Sequence, residues 1–346
     1  MSLEQRIAIG MAGSAPRMVK AAPRLSGSLV FTRLAFLALL AAALALPFLV
    51  KGFMVFQLTM VMIYAIAIMG LNLLTGFNGQ FSLGHSAFFA VGAYTTAILM
   101  DRYNAGFLIT LPAAAVIAFA LGVLIGLPAL RLENIYLALA TFSLAAVTPQ
   151  LLKLTPMEGL TGGVQGIALV KPDAPFSLPL SQDQWLYLVT LATGLILYAL
   201  AVNIVRSRTG RALMAIRENP IAARAMGIDI AAYKTLIFGV SAMFTGVAGA
   251  LSAVTVSFVA PDSFTLSLSV ALLVGLVVGG VAWLPGALVG GAFILFVPNL
   301  ADRVSQGLSG AVYGVILLLA IYLMPSGVSG IWRMAEDIIG RWRKQE

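Results

Sequence analysis

Residues 206–234, RSRTGRALMAIRENPIAARAMGIDIAAYK, are where this chain leaves hydrocarbon for long enough to meet something in water. The stretch carries Arg206, Arg208, Arg211, Arg217, Arg224 and Lys234 against only Glu218 and Asp229, and apolar segments flank it on both sides. Inside it, Arg217-Glu218-Asn219-Pro220 interrupts a helix, because proline disfavours helical dihedrals in the residue before it and suits a first helical turn. Asn219 is therefore expected as an N-cap, with a short helix over 220–226 ended by Gly227. Two readings follow. One is a basic loop that sets topology through the positive-inside rule. The other is a short helix along the cytoplasmic membrane surface that serves as a docking knob for a partner.

Working outward, the charge-free runs decide the class. Residues 34–50, 52–100, 103–130, 134–152, 184–205, 235–261, 263–301 and 304–332 contain no Asp, Glu, Lys or Arg. The 346 residues are 60% hydrophobic and 10% charged, and the mean hydropathy is +1.00, more apolar surface than a soluble core could hide. The chain is an all-α, polytopic integral membrane protein. Since about 20 residues of helix cross a bilayer, the two longest runs each hold two passes.

Passes at 29–50, 54–75, 81–100, 106–130 and 134–152 precede a polar loop, 153–183, that has no positive bias and should face outward. A sixth pass, 184–205, returns to the basic stretch. Four more, at 235–256, 264–281, 286–300 and 308–324, give about ten transmembrane helices, with N and C termini both cytoplasmic. The glycine-rich third and ninth are the weakest. Two halves of five passes would run in opposite directions, an inverted 5+5 arrangement, although no residue-level repeat supports it. The organisation is a tail over 1–28, a transmembrane domain over 29–332 and a basic tail over 333–346. The first apolar segment is too long for a signal peptide and is followed by further spans, so it is expected to stay as an anchor. Small residues recur at Gly275/Gly279 and Gly286/Gly290, where close helix packing is the expectation.

The net charge of +8 lies at span edges and tails, which suits membrane lipid and cytoplasmic loops and not nucleic acid. With no cysteine and a single histidine, no thiolate or His-based metal site can be assembled. No phosphate-binding loop of the G-x-x-x-x-G-K-[ST] kind occurs, so ATP is not hydrolysed here by that route. Asp101, Glu133, Asp262 and Asp302 all sit at span edges. A proton- or cation-driven carrier needs an ionisable group at mid-membrane, and none is available. Paired catalytic groups are likewise missing, so the chain is not an enzyme.

Residues 70–94, GLNLLTGFNGQFSLGHSAFFAVGAY, gather Asn72, Asn78, Gln80, Ser82, His85 and Ser86 among helix-breaking glycines. A break at membrane depth is tolerated where protein or a water-filled cavity satisfies the freed backbone, which makes Asn72, Asn78, Gln80, Ser82 and His85 candidates for lining a pathway. An ordinary turn between spans is the equal alternative. For His85 a hydrogen-bonded structural role is expected over chemistry.

Four blocks, GLNLLTGFNGQFSLGHSAFFAVGAY, LPALRLENIYLALATFSLA, RALMAIRENPIAARAMGID and PDSFTLSLS, resemble the permease subunits of branched-chain amino-acid ABC importers, in their LivM-like branch. The resemblance runs in order from the second span to the last and leaves out the N-terminal tail. It implies a pore subunit that pairs with a second, homologous permease, docks two cytoplasmic ABC ATPases that carry ATP and Mg, and receives substrate from a periplasmic substrate-binding protein in the bacterial inner membrane. No cofactor is implied on this chain. The coupling segment would be Arg217, Glu218, Asn219, Pro220, Ala223, Arg224, Gly227 and Asp229, with Glu218 beside the positive end of the short helix. Glu158, Thr161, Gly162 and Gly163 in the outer loop are the candidate contacts for the binding protein, with a plain connector as the alternative. The chain departs from the family pattern at Ala282-Trp283-Leu284-Pro285-Gly286, at Met324-Pro325-Ser326-Gly327 and at Ala146-Val147-Thr148-Pro149. Related systems carry urea, short amides and aromatic acids as well as leucine-type amino acids. Outside the family, a self-sufficient secondary carrier or channel and a lipid-binding scaffold are the competing functions.

Overall fold

The computed structural model describes residues 29–129, 134–174 and 180–304, together with 314–316, 318–319, 322, 327–328 and 330. Two compact units meet between Leu46 and Pro47. The N-terminal unit contributes most of helix α1 (Leu29–Leu49). The second unit holds the rest, and the tails and most of the expected tenth pass lie outside the described residues.

The larger unit is helical almost throughout. In order come α2 (Gly52–Leu71), which continues into a wide π-helical turn over Asn72–Phe77, α3 (His85–Tyr103), α4 (Phe107–Ala129), α5 (Asn134–Leu152) and the short α6 (Thr155–Thr161). Then follow β1 (Ile167–Ala168), α7 (Gln182–Arg206), α8 (Arg208–Glu218), α9 (Pro220–Ala225), α10 (Ile230–Val256), β2 (Phe258–Val259), α11 (Leu266–Gly279) and α12 (Gly286–Val304). Among the described residues, four helical stretches are long and apolar enough to cross a membrane singly: Gly52–Phe77, Phe107–Pro128, Gln182–Arg206 and Ile230–Val256. A fifth is counted if Tyr136–Leu152 and Thr155–Thr161, bent by 81°, form one span. The expected third pass opens four residues late, at His85, because 78–84 is not helical. Helix α11, with 14 residues, rises about 21 Å, short of a hydrocarbon core of roughly 30 Å.

Burial orders the bundle. In α10, 83% of the spanning window is buried and in α2 67%, against 22% in α7. The first two are therefore the axis. Lipid is as apolar as leucine, so close approach of small residues must hold such a bundle together. The expectation for Gly275/Gly279 and Gly286/Gly290 is met. A methyl on Gly275 would come within 2.6 Å of Ile294 Cδ1, and one on Gly279 would strike the Gly286 carbonyl.

The loop 280–285 turns the chain between α11 and α12 and contains Ala282 at φ 60°, a left-handed conformation. For an L-residue this costs about 1–2 kcal/mol, whereas an added glycine costs about 0.4–1 kcal/mol through the unfolded chain. Ala282→Gly is therefore expected to raise the melting temperature in detergent by a degree or two. An unchanged or lower value would show that the turn is not strained.

The ends of the helices sort into two sets. Gly52 at the start of α2 lies 3.9 Å, measured from the position of an added Cβ, from Asp183 at the start of α7. At that end β1 pairs antiparallel with β2, Ile167 opposite Val259, and Lys153 bonds Asp262 at 2.6 Å. Lys171 bonds Asp183 at 2.7 Å and stands 5.8 Å from the centre of the Phe56 ring. The loop 153–174 is thus tied down at Lys153 and Lys171. At the other end the π turn, the 280–285 loop and α8 come together.

Candidate functional site

Residues 206–230 form a capped, three-piece corner. Ser207 Oγ accepts from the Thr209 amide at 3.1 Å and starts α8. Helix α8 buries Gly210, Ala212, Leu213 and Ile216 and exposes Arg208, Arg211, Met214 and Arg217, so one face packs and the other is free. Asn219 ends it and caps α9, its Oδ1 accepting from the amides of Ile221 and Ala222 at 3.0 Å each. Such a cap contributes about 1 kcal/mol and satisfies two otherwise orphaned donors. Gly227 sits at φ 80°, and Asp229 Oδ1 caps α10 through the amides of Ala231 and Ala232. The expected helix after Pro220 is present, one residue shorter than the sequence suggested.

The segment's residues do different things. Asn219 and Asp229 cap helices, and Ala223 is buried with its carbonyl accepting from the Ile228 amide. Pro220 is the first residue of α9, and Arg224 is exposed in its last turn. Glu218 closes α8 instead of opening α9, so the negative end of one helix opposes the positive end of the next at its carboxylate. Glu218 thus adjoins the start of α9, as expected, and also stands at the C-terminal end of α8. Residues that sequence reasoning passed over protrude most: Ile221 is 83% exposed and Met226 82%. Their apolar character was on view, but nothing local said that they face outward.

Arg217 points elsewhere than expected. Its Nη1 donates to the carbonyl of Gly76 in the π turn, and its Cγ lies 3.0 Å from where a Cβ on Gly79 would stand. Gly79 has φ 76°, so both conformation and space call for glycine there. The π turn is held from a second side by Asn72. Its Nδ2 donates to the Trp283 carbonyl at 3.1 Å and its Oδ1 accepts from the Ala282 amide at 2.8 Å.

The candidate pathway residues are packed inside the chain in this conformation. Asn72, Asn78, Gln80, Ser82 and His85 are each 1–3% exposed. Asn78 Nδ2 donates to Gln80 Oε1 at 2.6 Å. Ser241 Oγ gives its one hydrogen to the Gly70 carbonyl at 2.7 Å, so His85 Nε2, 2.8 Å away, is the donor to Ser241. His85 Nδ1 then accepts from Ser82 Oγ at 3.2 Å. His85 thus has the hydrogen-bonded role expected of it, joining α3 to α10 and α2. Beside these residues opens a cavity of about 380 Å³ between Arg217, Thr75, Gly79, Phe81 and the apolar face of α11.

At the tied-down end, Glu158 is exposed and lines a second cavity of about 360 Å³ with Asp101, Arg102 and Gly162. Thr161 is buried, its hydroxyl donating to the Leu152 carbonyl at 2.8 Å, and Gly163 is buried under Glu158. Of the four outer-loop residues only Glu158 presents an exposed side chain. Asp101 is exposed and Asp262 is paired with Lys153, both at helix ends as expected. Glu133 and the side chain of Asp302 lie outside the described residues. Among the described residues no group of three or more His, Cys, Asp or Glu could hold a metal.

Apolar helices, a broken inner helix and a capped, protruding polar corner define a multi-pass membrane permease. The chain belongs to the branched-chain amino acid transport system permease family, whose model matches residues 53–321. It is 34% identical over 329 residues to the high-affinity branched-chain amino acid transport system permease protein LivM of Salmonella typhimurium LT2, covering 88% of this chain and 77% of the relative. The LivM protein of Escherichia coli K12 matches to the same extent. The LivH permease protein of that organism is 26% identical over 286 residues, covering 77% of this chain and 91% of the relative. No solved structure matches.

Proposed function

We propose that this chain is a pore subunit of an ATP-driven importer for branched-chain or other hydrophobic amino acids, in the bacterial inner membrane. It pairs with a second permease of LivH type and docks two cytoplasmic ATPases, which hold ATP and Mg, through residues 206–234. Substrate arrives from a periplasmic binding protein at the end that carries Glu158. The observation that carries this reading is the exposed apolar tip, Ile221 and Met226, on a helix capped at its start by Asn219. Large exposed side chains on a rigid mount suit a protein partner and not a free loop.

The test is reconstitution of the chain with a partner permease, ATPase and binding protein in vesicles. ATP-dependent leucine uptake is expected, with urea and aromatic acids failing to compete. Uptake by this chain alone, or competition by urea and not leucine, would overturn the reading. Sidedness is checked in the same vesicles: a label on 153–174 reacts from the face that receives the binding protein, and one on 206–234 only from the ATP face. Both reacting from one face would refute the assignment of the two ends.

A further inference from the structure

The cavity of about 380 Å³ has two unlike walls. One is aliphatic and aromatic, built from Leu273, Leu276 and Val277 of α11 with Phe81. The other is lined by Arg217 and Thr75. Among the described residues no carboxylate pairs with Arg217, whose Nη1 donates to the neutral carbonyl of Gly76. Five N–H donors on a planar cation, beside hydrocarbon and without a counter-charge, match an anionic head on an apolar body. The volume is at the small end of ligand sites, roughly 300–1,000 Å³, which admits an amino acid and not a peptide.

Resting on the proposed transport function, we infer that this cavity is a binding site for an amino acid with an apolar side chain. Arg217 holds the carboxylate, and the α11 wall holds the side chain. Arg217 belongs to α8, the helix that leads into the docking tip. An anionic phospholipid offers the same pair of features, a charged head on hydrocarbon, and the test must separate the two.

The chain has no cysteine, so Val277→Cys places a single thiol in this subunit at the apolar wall. The measurement is the rate of maleimide labelling of this subunit in the reconstituted complex, with leucine uptake followed in the same vesicles. Leucine at ten times its dissociation constant should slow labelling about tenfold, as mass action requires. Glutamate and lysine should not, and labelling of Leu288→Cys, an exposed position of α12, should stay unchanged. Adding Arg217→Gln should abolish the protection. So should Leu273→Trp, which fills the cavity and leaves the bond from Arg217 to Gly76 intact. Leucine uptake without protection overturns the site alone, whereas loss of both uptake and protection also overturns the transport reading. Protection that follows the phosphatidylglycerol content of the membrane and ignores leucine overturns the amino-acid assignment.

Discussion

Replacing Ile221 and Met226 together by alanine is expected to weaken binding of the ATPase on the order of 100-fold while leaving the chain folded and inserted. Both side chains stand more than four-fifths in solvent, so truncating them removes no internal contact of consequence. If docking covers them, each contributes roughly 1.5–3 kcal/mol, and about 1.4 kcal/mol is a factor of ten. The backbone under them stays in place because Asn219 still caps α9 and Ala223 stays buried. The check is co-purification of the ATPase beside a thermal unfolding curve of the chain. Undiminished co-purification would mean that the tip meets lipid or water, and the basic segment would be left with a topological role.

Gly76→Ala is expected to destabilise the chain by roughly 2–5 kcal/mol and to abolish transport. An added methyl would collide with Asn72 Oδ1 and come within 2.8 Å of the Ala282 amide. Overpacking costs about 1–3 kcal/mol, and pushing Asn72 away strands the buried end of its bond to Ala282 at a similar cost. The same movement displaces the carbonyl to which Arg217 bonds, so the docking corner loses its grip on the π turn. Gly194→Ala provides the opposite sign. Its new methyl meets nothing nearer than Ile66 Cδ1 at 3.7 Å in the middle of α7, where alanine gains about 0.5–1 kcal/mol over glycine. Equal melting temperatures and uptake for the two variants would show that the π turn tolerates movement and that no force passes through it.

Local chemistry made part of this site legible in the sequence. Asn219-Pro220 announces a helix start because a cap is an interaction between near neighbours, whereas the Asp229 cap, which opens α10 five residues before the expected pass, was not read. Membrane class was legible for the same reason, since charge-free length is a local property. The partner of Arg217 was not legible: it is a backbone carbonyl 141 positions away, and an arginine in a basic stretch carries no mark of turning inward. Nor were the ties of the outer loop, where Lys153 finds Asp262 across 109 positions. The polar residues after Gly70 were recognised as unusual, yet a buried network and a wet channel demand the same side chains. Only the pairing of Asn72 with the 282–283 backbone and of His85 with Ser241 distinguishes them. Spacing likewise failed at 81–84, where the start of the expected third helix gives way to loop.

The wide turn over Asn72–Phe77 has a consequence for how this gene tolerates length changes. A π turn closes its hydrogen bonds across one residue more than an α turn, so it holds one extra residue within the course of the helix. A single-codon deletion within 73–77 would therefore leave a regular α-helix of the same apolar character, still able to span. The residues on either side would keep their register, but the wide turn that presents the Gly76 carbonyl to Arg217 would be gone. Codon number in this short window, more than hydrophobicity, fixes whether the second span offers Arg217 its carbonyl.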